Sequence, residues 1–193
     1  MKIVILKYNA GNIHSVRLAL QRQGIEPVVT DDAEEIRQAD KVIFPGVGEA
    51  HSAMTYLKSK NLYDLIPSLS QPVLGICLGL QLMCRHSEEN DTTGMGIFPA
   101  DVKKFPPVGK VPHMGWNALL NIKGVLFNQV DEGSYAYFVH SYYAEETTFA
   151  TAVTSHTVSF ASAVEKDNFF AVQFHPEKSA RVGEQILRNF IAL

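Results

Sequence analysis

Three short stretches of this chain carry residue types suited to acyl-group chemistry. The first is Gly75-Ile76-Cys77-Leu78-Gly79, which follows the apolar pair Val73-Leu74 and runs into Leu80-Gln81-Leu82-Met83. An apolar strand ending in Gly-x-Cys-x-Gly and turning at once into a helix has the pattern of a nucleophile elbow, with sulfur in place of the commoner serine oxygen. Such a turn crowds the positions two residues to either side, so glycine suits 75 and 79. The helix start favours a thiolate. The same residues also fit a buried structural cysteine beside a glycine turn, because free cysteine is among the most buried residue types.

A cysteine nucleophile needs a base to take its proton and later protonate a leaving group, and the base needs a third group to orient it. His175-Pro176-Glu177 follows the apolar run Ala171-Val172-Gln173-Phe174 and supplies both. Proline stiffens the link between ring and carboxylate, so that Glu177 can hold one ring nitrogen of His175 while the other faces sulfur. The alternative is a surface turn with a solvated glutamate. The third stretch, Pro45-Gly46-Val47-Gly48, ends the apolar run Val42-Ile43-Phe44. Acyl transfer develops an oxyanion, for which the N–H of Leu78 is one donor by the elbow's geometry and the peptide near Val47 a second. A simple βα turn or a phosphate loop competes with this reading, although neither Gly-Lys-Ser/Thr nor Gly-x-Gly-x-x-Gly is present.

The elements that position these stretches alternate between strand and helix in the first half. Ile3 to Leu6, Val28 to Thr30, Val42 to Phe44 and Val73-Leu74 read as strands. Between them the pattern predicts helices over Ile13 to Gln23, from a cap at Asp31 or Asp32 through Ile36, around Met54 and Leu57, and around Leu62 to Ile66. Alternation without hairpin signals predicts an α/β fold, an open and mostly parallel sheet with helices on both faces, and ligands bind at the carboxyl ends of such strands. Beyond about residue 90 the runs at 102–105, 118–120, 136–139, 150–154, 157–163 and 169–174 predict a mixed or antiparallel extension of that sheet, closed by a helix over about Ala180 to Ala192. The stretch from Pro112 to Asn117 reads as a loop holding the only tryptophan, Trp116. No repeat or Gly/Pro/Ser-rich linker divides residues 1–193, which are expected to form one domain.

Composition narrows the function. Seventeen basic against twenty acidic residues give a formal charge of −3, which disfavours broad binding to nucleic acid or to an anionic membrane surface. Met1 to Leu6 breaks at Lys7, unlike a secretory signal, and no run approaches the roughly eighteen apolar residues of a membrane span. Cys77 and Cys84 fall seven positions apart on one predicted helix, too distant for a disulfide, so both are expected as thiols in a reducing compartment, the cytoplasm by default. His51, His86, His113, His140, His156 and His175 show no paired metal-ligand spacing, and neither a metal nor a cofactor is expected.

Taken together, Gly75 to Gln81, Pro45 to Gly48 and Phe174-His175-Pro176-Glu177-Lys178-Ser179 resemble the triad-type (class I) glutamine amidotransferases. Pro112-His113-Met114-Gly115-Trp116-Asn117, His140-Ser141-Tyr142 and Gly11-Asn12 with Ser15-Val16 narrow the resemblance to the glutaminase subunits of imidazole glycerol phosphate synthases, which serve histidine biosynthesis. The resemblance implies that Cys77 attacks the side-chain amide of L-glutamine, His175 protonates departing ammonia, and Glu177 completes the triad. It implies a glutamine pocket of Gly46, Gly48, Gln81, His140, Ser141 and Tyr142. It also implies a partner, a (β/α)8-barrel cyclase subunit that receives the ammonia and makes imidazole glycerol phosphate and an aminoimidazole carboxamide ribonucleotide. Asn12, Pro112, Met114, Trp116, Asn117 and Lys178 are expected near that partner, and the Val47 peptide is expected to align only when the partner holds its own substrate. Lys7-Tyr8-Asn9-Ala10 departs from the acidic residue and glycine common in the family. The rival readings are a glutaminase serving another synthase, a cysteine hydrolase of similar fold, and a non-catalytic regulatory subunit.

Overall fold

The computed structural model describes residues 1–9 and 12–193. Four strands of the first half, β1 (Ile3–Leu6), β2 (Val28–Thr30), β3 (Lys41–Phe44) and β4 (Val73–Ile76), lie parallel in one sheet. Their residues alternate between two apolar layers: Ile3, Ile5 and Ile43 face one side, Val4, Leu6, Val42 and Phe44 the other. Sheets buried on both faces read in this way as continuous apolar runs. Helix α1 (Ile13–Gln21) covers the first side with Val16 and Leu20. Helices α2 (Ala33–Arg37), α3 (Ala50–Ser59) and α4 (Leu62–Leu65) cover the second. Asp32, one of the two expected caps, accepts the N–H of Glu35 at 2.9 Å and starts α2.

Helix α5 (Leu78–Met83) follows β4 directly and ends one residue before Cys84. The second half adds β5 (Cys84–Ser87), β6 (Thr92–Thr93), β7 (Phe98–Lys104), β8 (His113–Ala118), β9 (Tyr135–His140), β10 (Tyr142–Ala144), β11 (Ala150–Ser155), β12 (Ser159–Lys166) and β13 (Phe169–Val172), then α6 (Ala180–Ala192). The expected extension is present. The main sheet runs β11-β12-β13-β4-β3-β1-β2, with β13 parallel to β4 and β11 and β12 antiparallel at the edge. The other strands do not join it: β10-β7-β5-β6 form a second sheet and β8-β9 a separate ribbon. Phe98 and Val102 bury the second sheet against the α2–α4 layer, and Phe138 buries the ribbon against the layer of α1 and α6.

Two local expectations are corrected. Cys84 does not continue the helix of Cys77: it has extended backbone at φ −70° and ψ 174° and opens β5, which pairs in parallel with β7. The stretch from His113 is a strand, not a loop. Antiparallel pairing from His113 opposite His140 to Ala118 opposite Tyr135 holds it extended, although Gly115 within it and Pro112 beside it argue for a loop when read alone. Among the described residues, no helix is long and apolar enough to cross a membrane.

Candidate active site

Cys77 sits between β4 and α5 with φ 52° and ψ −102°, outside the regions open to ordinary L-residues. Such a backbone costs about 1–3 kcal/mol and persists only where the surroundings fix it. Its N–H donates to the carbonyl of Val172 at 2.8 Å, carrying the β4–β13 pairing into the turn. The elbow packs against the end of β3. A Cβ on Gly79 would lie 2.1 Å from the carbonyl oxygen of Phe44, and one on Gly46 would lie 2.5 Å from the Cβ of Leu78. Gly75 has slightly more room, at 3.0 Å. Gly46 and Gly79 thus record the end of β3 pressing on the elbow, and Gly75 records the first turn of α5 folding back on β4.

His175 arrives at the end of the neighbouring β13. A one-turn 3₁₀ helix over Pro176–Lys178 follows, closed by the Lys178 N–H on the His175 carbonyl at 3.0 Å. Ser179 clamps this turn to β9: its hydroxyl donates to the His175 carbonyl at 2.7 Å and accepts the Tyr137 N–H at 2.9 Å. His175 Nδ1 lies 2.8 Å from Glu177 Oε1, and both side chains are about 1 % exposed. Asn12 Nδ2 adds a second donor to the same oxygen at 3.2 Å. The Nε2 atom is buried and faces the sulfur of Cys77. Burial pulls the imidazole pKa down, but the sulfur and the Glu177 carboxylate outweigh it and raise it to about 10. The ring therefore holds a proton across the neutral range.

A cavity of about 310 Å³ opens on Cys77 and Leu78. Of the residues expected to line a pocket, Val47, Gly48, Gln81, His140, Ser141 and Tyr142 do so. Gly46 does not; it lies behind the wall, pressed on Leu78. The Leu78 N–H, the first expected oxyanion donor, points at the Gly46 carbonyl at a long 3.5 Å. The wall is pinned by one oxygen: the Tyr142 carbonyl accepts from His140 Nδ1 at 2.7 Å and from Gln81 Nε2 at 2.9 Å. With its proton on Nδ1, His140 presents Nε2 as an acceptor to His113 Nδ1 at 3.0 Å. His113 in turn accepts from Asn117 Nδ2 at 3.2 Å. Both rings are buried, and burial lowers their pKa values to about 4 for His113 and about 3 for His140, with the neighbouring histidines adding to the effect.

The residues expected near a partner separate into two groups. Met114 and Trp116 are exposed, 50 % and 52 %, on the outer side of β8. Trp116 meets Tyr137 edge to face, and Lys178 Nζ lies 6.0 Å from the centre of the same ring. Pro112 instead lines the cavity, and Asn117 turns inward, donating to His113 and to the Ser155 carbonyl. Ala10 and Gly11, part of the loop that departs from the family and of its Gly-Asn landmark, lie outside the described residues.

Several residues at the site, Val139 on the cavity wall among them, escape the sequence reading. Glu89 lines the cavity from the polar stretch that follows Ser87. Tyr8 is buried with its hydroxyl donating to the Pro45 carbonyl, and burial with the nearby Cys77 holds its pKa well above the usual tyrosine value. Gln173 is wholly buried against the sulfur. The signal for Gln173 was present, as a single polar residue in the apolar run Phe169 to Phe174. A larger hollow of about 580 Å³ between Ile122 and Leu193 holds neither cysteine nor histidine. Among the described residues no group of three or more His, Cys, Asp or Glu could hold a metal ion.

Residues 5–193 match the family model described as glutamine amidotransferase class-I. The chain is 53 % identical over 196 aligned positions to the imidazole glycerol phosphate synthase subunit HisH of Bacteroides thetaiotaomicron. It is 46 % and 44 % identical to the proteins of that name in Pectobacterium atrosepticum and Escherichia coli K12, and each of the three alignments covers 100 % of both chains. Among solved structures, PurLQS from Thermotoga maritima superposes with a TM-score of 0.74 at 17 % identity, covering 99 % of this chain and 97 % of that one. The glutaminase domain of Trypanosoma brucei CTPS with bound acivicin superposes with a TM-score of 0.68 at 17 % identity, covering 100 % and 94 %. At such identities these structures speak for the fold.

Proposed function

The chain belongs to the class-I glutamine amidotransferases, and on that premise we propose that it is the glutamine-hydrolysing subunit of an imidazole glycerol phosphate synthase, acting as one domain over residues 1–193. The observation that carries the reading is the convergence of Cys77, His175 and Glu177, from the ends of two adjacent parallel strands, beside one cavity.

The chemistry follows from the protons. The Cys77 thiolate attacks the side-chain carbonyl carbon of glutamine, and the oxyanion meets the Leu78 N–H and a second N–H near Val47. The C–N bond breaks as the nitrogen takes the proton of His175 Nε2 and leaves as ammonia. The ring, now neutral, takes a proton from water as it attacks the thioester, which releases glutamate and restores thiolate and imidazolium. Glu177 stabilises the imidazolium and fixes its tautomer. Gly48, Gln81 and the segment from His140 to Tyr142 hold the substrate. Glu89 suits the α-ammonium group: burial raises its pKa and the nearby Glu49 adds to this, against the Ala50 N–H it accepts at 2.9 Å, so it gains from a cation at the wall.

A (β/α)8-barrel cyclase receives the ammonia, in the reducing cytoplasm that two free thiols suit. Met114 and Trp116 supply an apolar and aromatic patch of the kind enriched at interfaces. Asn12, on Glu177, and Lys178, in the triad's own turn, couple that face to the base. The Leu78 N–H directed at the Gly46 carbonyl supports a switch in which the 46–48 peptides move when the cyclase is loaded, freeing the donor. The test is synthesis by the chain co-purified with its cyclase, using glutamine or ammonium as nitrogen source. Cys77→Ala is expected to abolish the glutamine-dependent rate and leave the ammonium-dependent rate; loss of both, or of neither, contradicts the proposal.

A further inference from the structure

Gln173 has no part in the triad, yet its side-chain amide reaches the nucleophile. Its Nε2 lies 3.5 Å from Cys77 Sγ, within reach of an N–H···S bond, and its Oε1 lies 3.1 Å from Gln81 Nε2. The orientation of both amides follows from one fixed acceptor. A backbone carbonyl only accepts, so the end of Gln81 that lies 2.9 Å from the Tyr142 oxygen is its NH₂. The other N–H of that group points at Gln173, which must answer with oxygen. Its own NH₂ is then left for sulfur. Turning either amide alone sets two donors or two acceptors face to face.

An amide buried this completely is costly unless its donors are met, and a neutral thiol is a weak acceptor. A thiolate is a strong one. A methionine would fill the same space without that cost, so packing alone does not explain the residue. The other ionisable groups about the sulfur are His175, held by Glu177, and the Tyr8 phenol, which stays neutral. His175 Nε2 faces the same sulfur and is placed to deliver its proton to a leaving group.

We infer that Gln173 is a positioning residue for the nucleophile: its amide N–H holds the Cys77 sulfur in one rotamer and favours the thiolate, and Gln81 ties that donor to the wall of the substrate pocket. The bond is strongest before attack and after deacylation, because a thioester sulfur is a poor acceptor. Gln81 thus has two tasks, lining the pocket and setting the orientation of Gln173. This inference rests on the reading of Cys77 as the glutamine nucleophile.

The test compares the wild-type chain with Gln173→Met and Gln173→Glu, each purified with the cyclase. Loss of one hydrogen bond to a charged group predicts a roughly tenfold or greater fall in kcat for glutamine in Gln173→Met, with KM within about twofold and the ammonium-dependent rate unchanged. In the isolated chain, the pH–rate profile of Cys77 alkylation by iodoacetamide moves up by about one pH unit in Gln173→Met and further in Gln173→Glu, where a carboxylate faces the sulfur. A purely structural role would lower stability and leave that profile in place. A Gln173→Met protein with wild-type kcat and alkylation profile overturns the inference. Should the variants fold poorly, the assigned side-chain amide resonances of Gln173 in the wild-type chain serve instead: they shift in step with alkylation of Cys77, and their constancy overturns the inference. A wild-type complex that consumes no glutamine refutes the underlying reading, and the alkylation profile distinguishes that failure from this one.

Discussion

Cys77 and Cys84 are the same residue type, seven positions apart, both buried and both free, and only one is placed to react. Cys84 begins a strand, its thiol donates to the Leu80 carbonyl at 3.4 Å, and its pKa is pushed up to about 12 by burial, with the nearby Asp101 adding. Cys77 is buried to almost the same degree but borders a cavity and meets an amide donor, an imidazolium and a helix start. Burial therefore does not decide whether a thiol is inert. What separates the two is whether buried polar side chains reach the sulfur, and those partners come from the far end of the sequence, at Gln173 and His175.

The largest effect expected on this contrast comes from the base. His175→Asn should lower glutamine-dependent turnover by roughly a hundredfold to ten-thousandfold, measured by glutamate release, with ammonium-dependent synthesis retained. An equal loss with both nitrogen sources would move His175 from chemistry to folding. Next is the frame of the elbow. Gly79→Ala should cost about 3 kcal/mol or more in urea unfolding, because its methyl group would meet the Phe44 carbonyl. Cys84→Ala probes the inert thiol. It should cost about 1–2 kcal/mol as a small cavity and leave turnover unchanged.

The pH dependence of stability probes the same contrast. His175 has a folded pKa raised from 6.5 to about 10, so its contribution is full below 6.5 and is lost as pH rises towards 10. His113 and His140 have folded pKa values lowered to about 4 and about 3, so the unfolded chain takes up protons first and stability falls as pH drops below 6.5. Urea midpoints should peak near pH 6.5. Cys77→Ala should flatten the alkaline limb, since the sulfur is one of the groups that raise His175, and Cys84→Ala should leave it.

Sequence reading reached the four parallel strands of the first half almost to the residue, because β1, β3 and β4 are buried on both faces and are written as apolar runs. The elbow was legible for the same reason that it works: close backbone approach leaves glycine a recognisable place at 79. Pairing between distant strands was not legible. β5 and β8 carry arginine, histidine, asparagine and glycine, and become strands through partners β7 and β9. Cys84 and Trp116 were misplaced on that account. Glu89 and Gln173 were missed for a related reason, since neither lies in a motif and each acquires meaning only from what the fold sets beside it.

The account turns on one thiol being a nucleophile inside a glutamine pocket. The most direct measurement treats the chain, together with the proposed cyclase in its loaded state, with a glutamine-mimicking alkylator and locates the adduct by mass spectrometry, with and without excess glutamine. The account predicts modification of Cys77 alone, suppressed by glutamine. An adduct on Cys84, or labelling of Cys77 that glutamine does not slow, would contradict it.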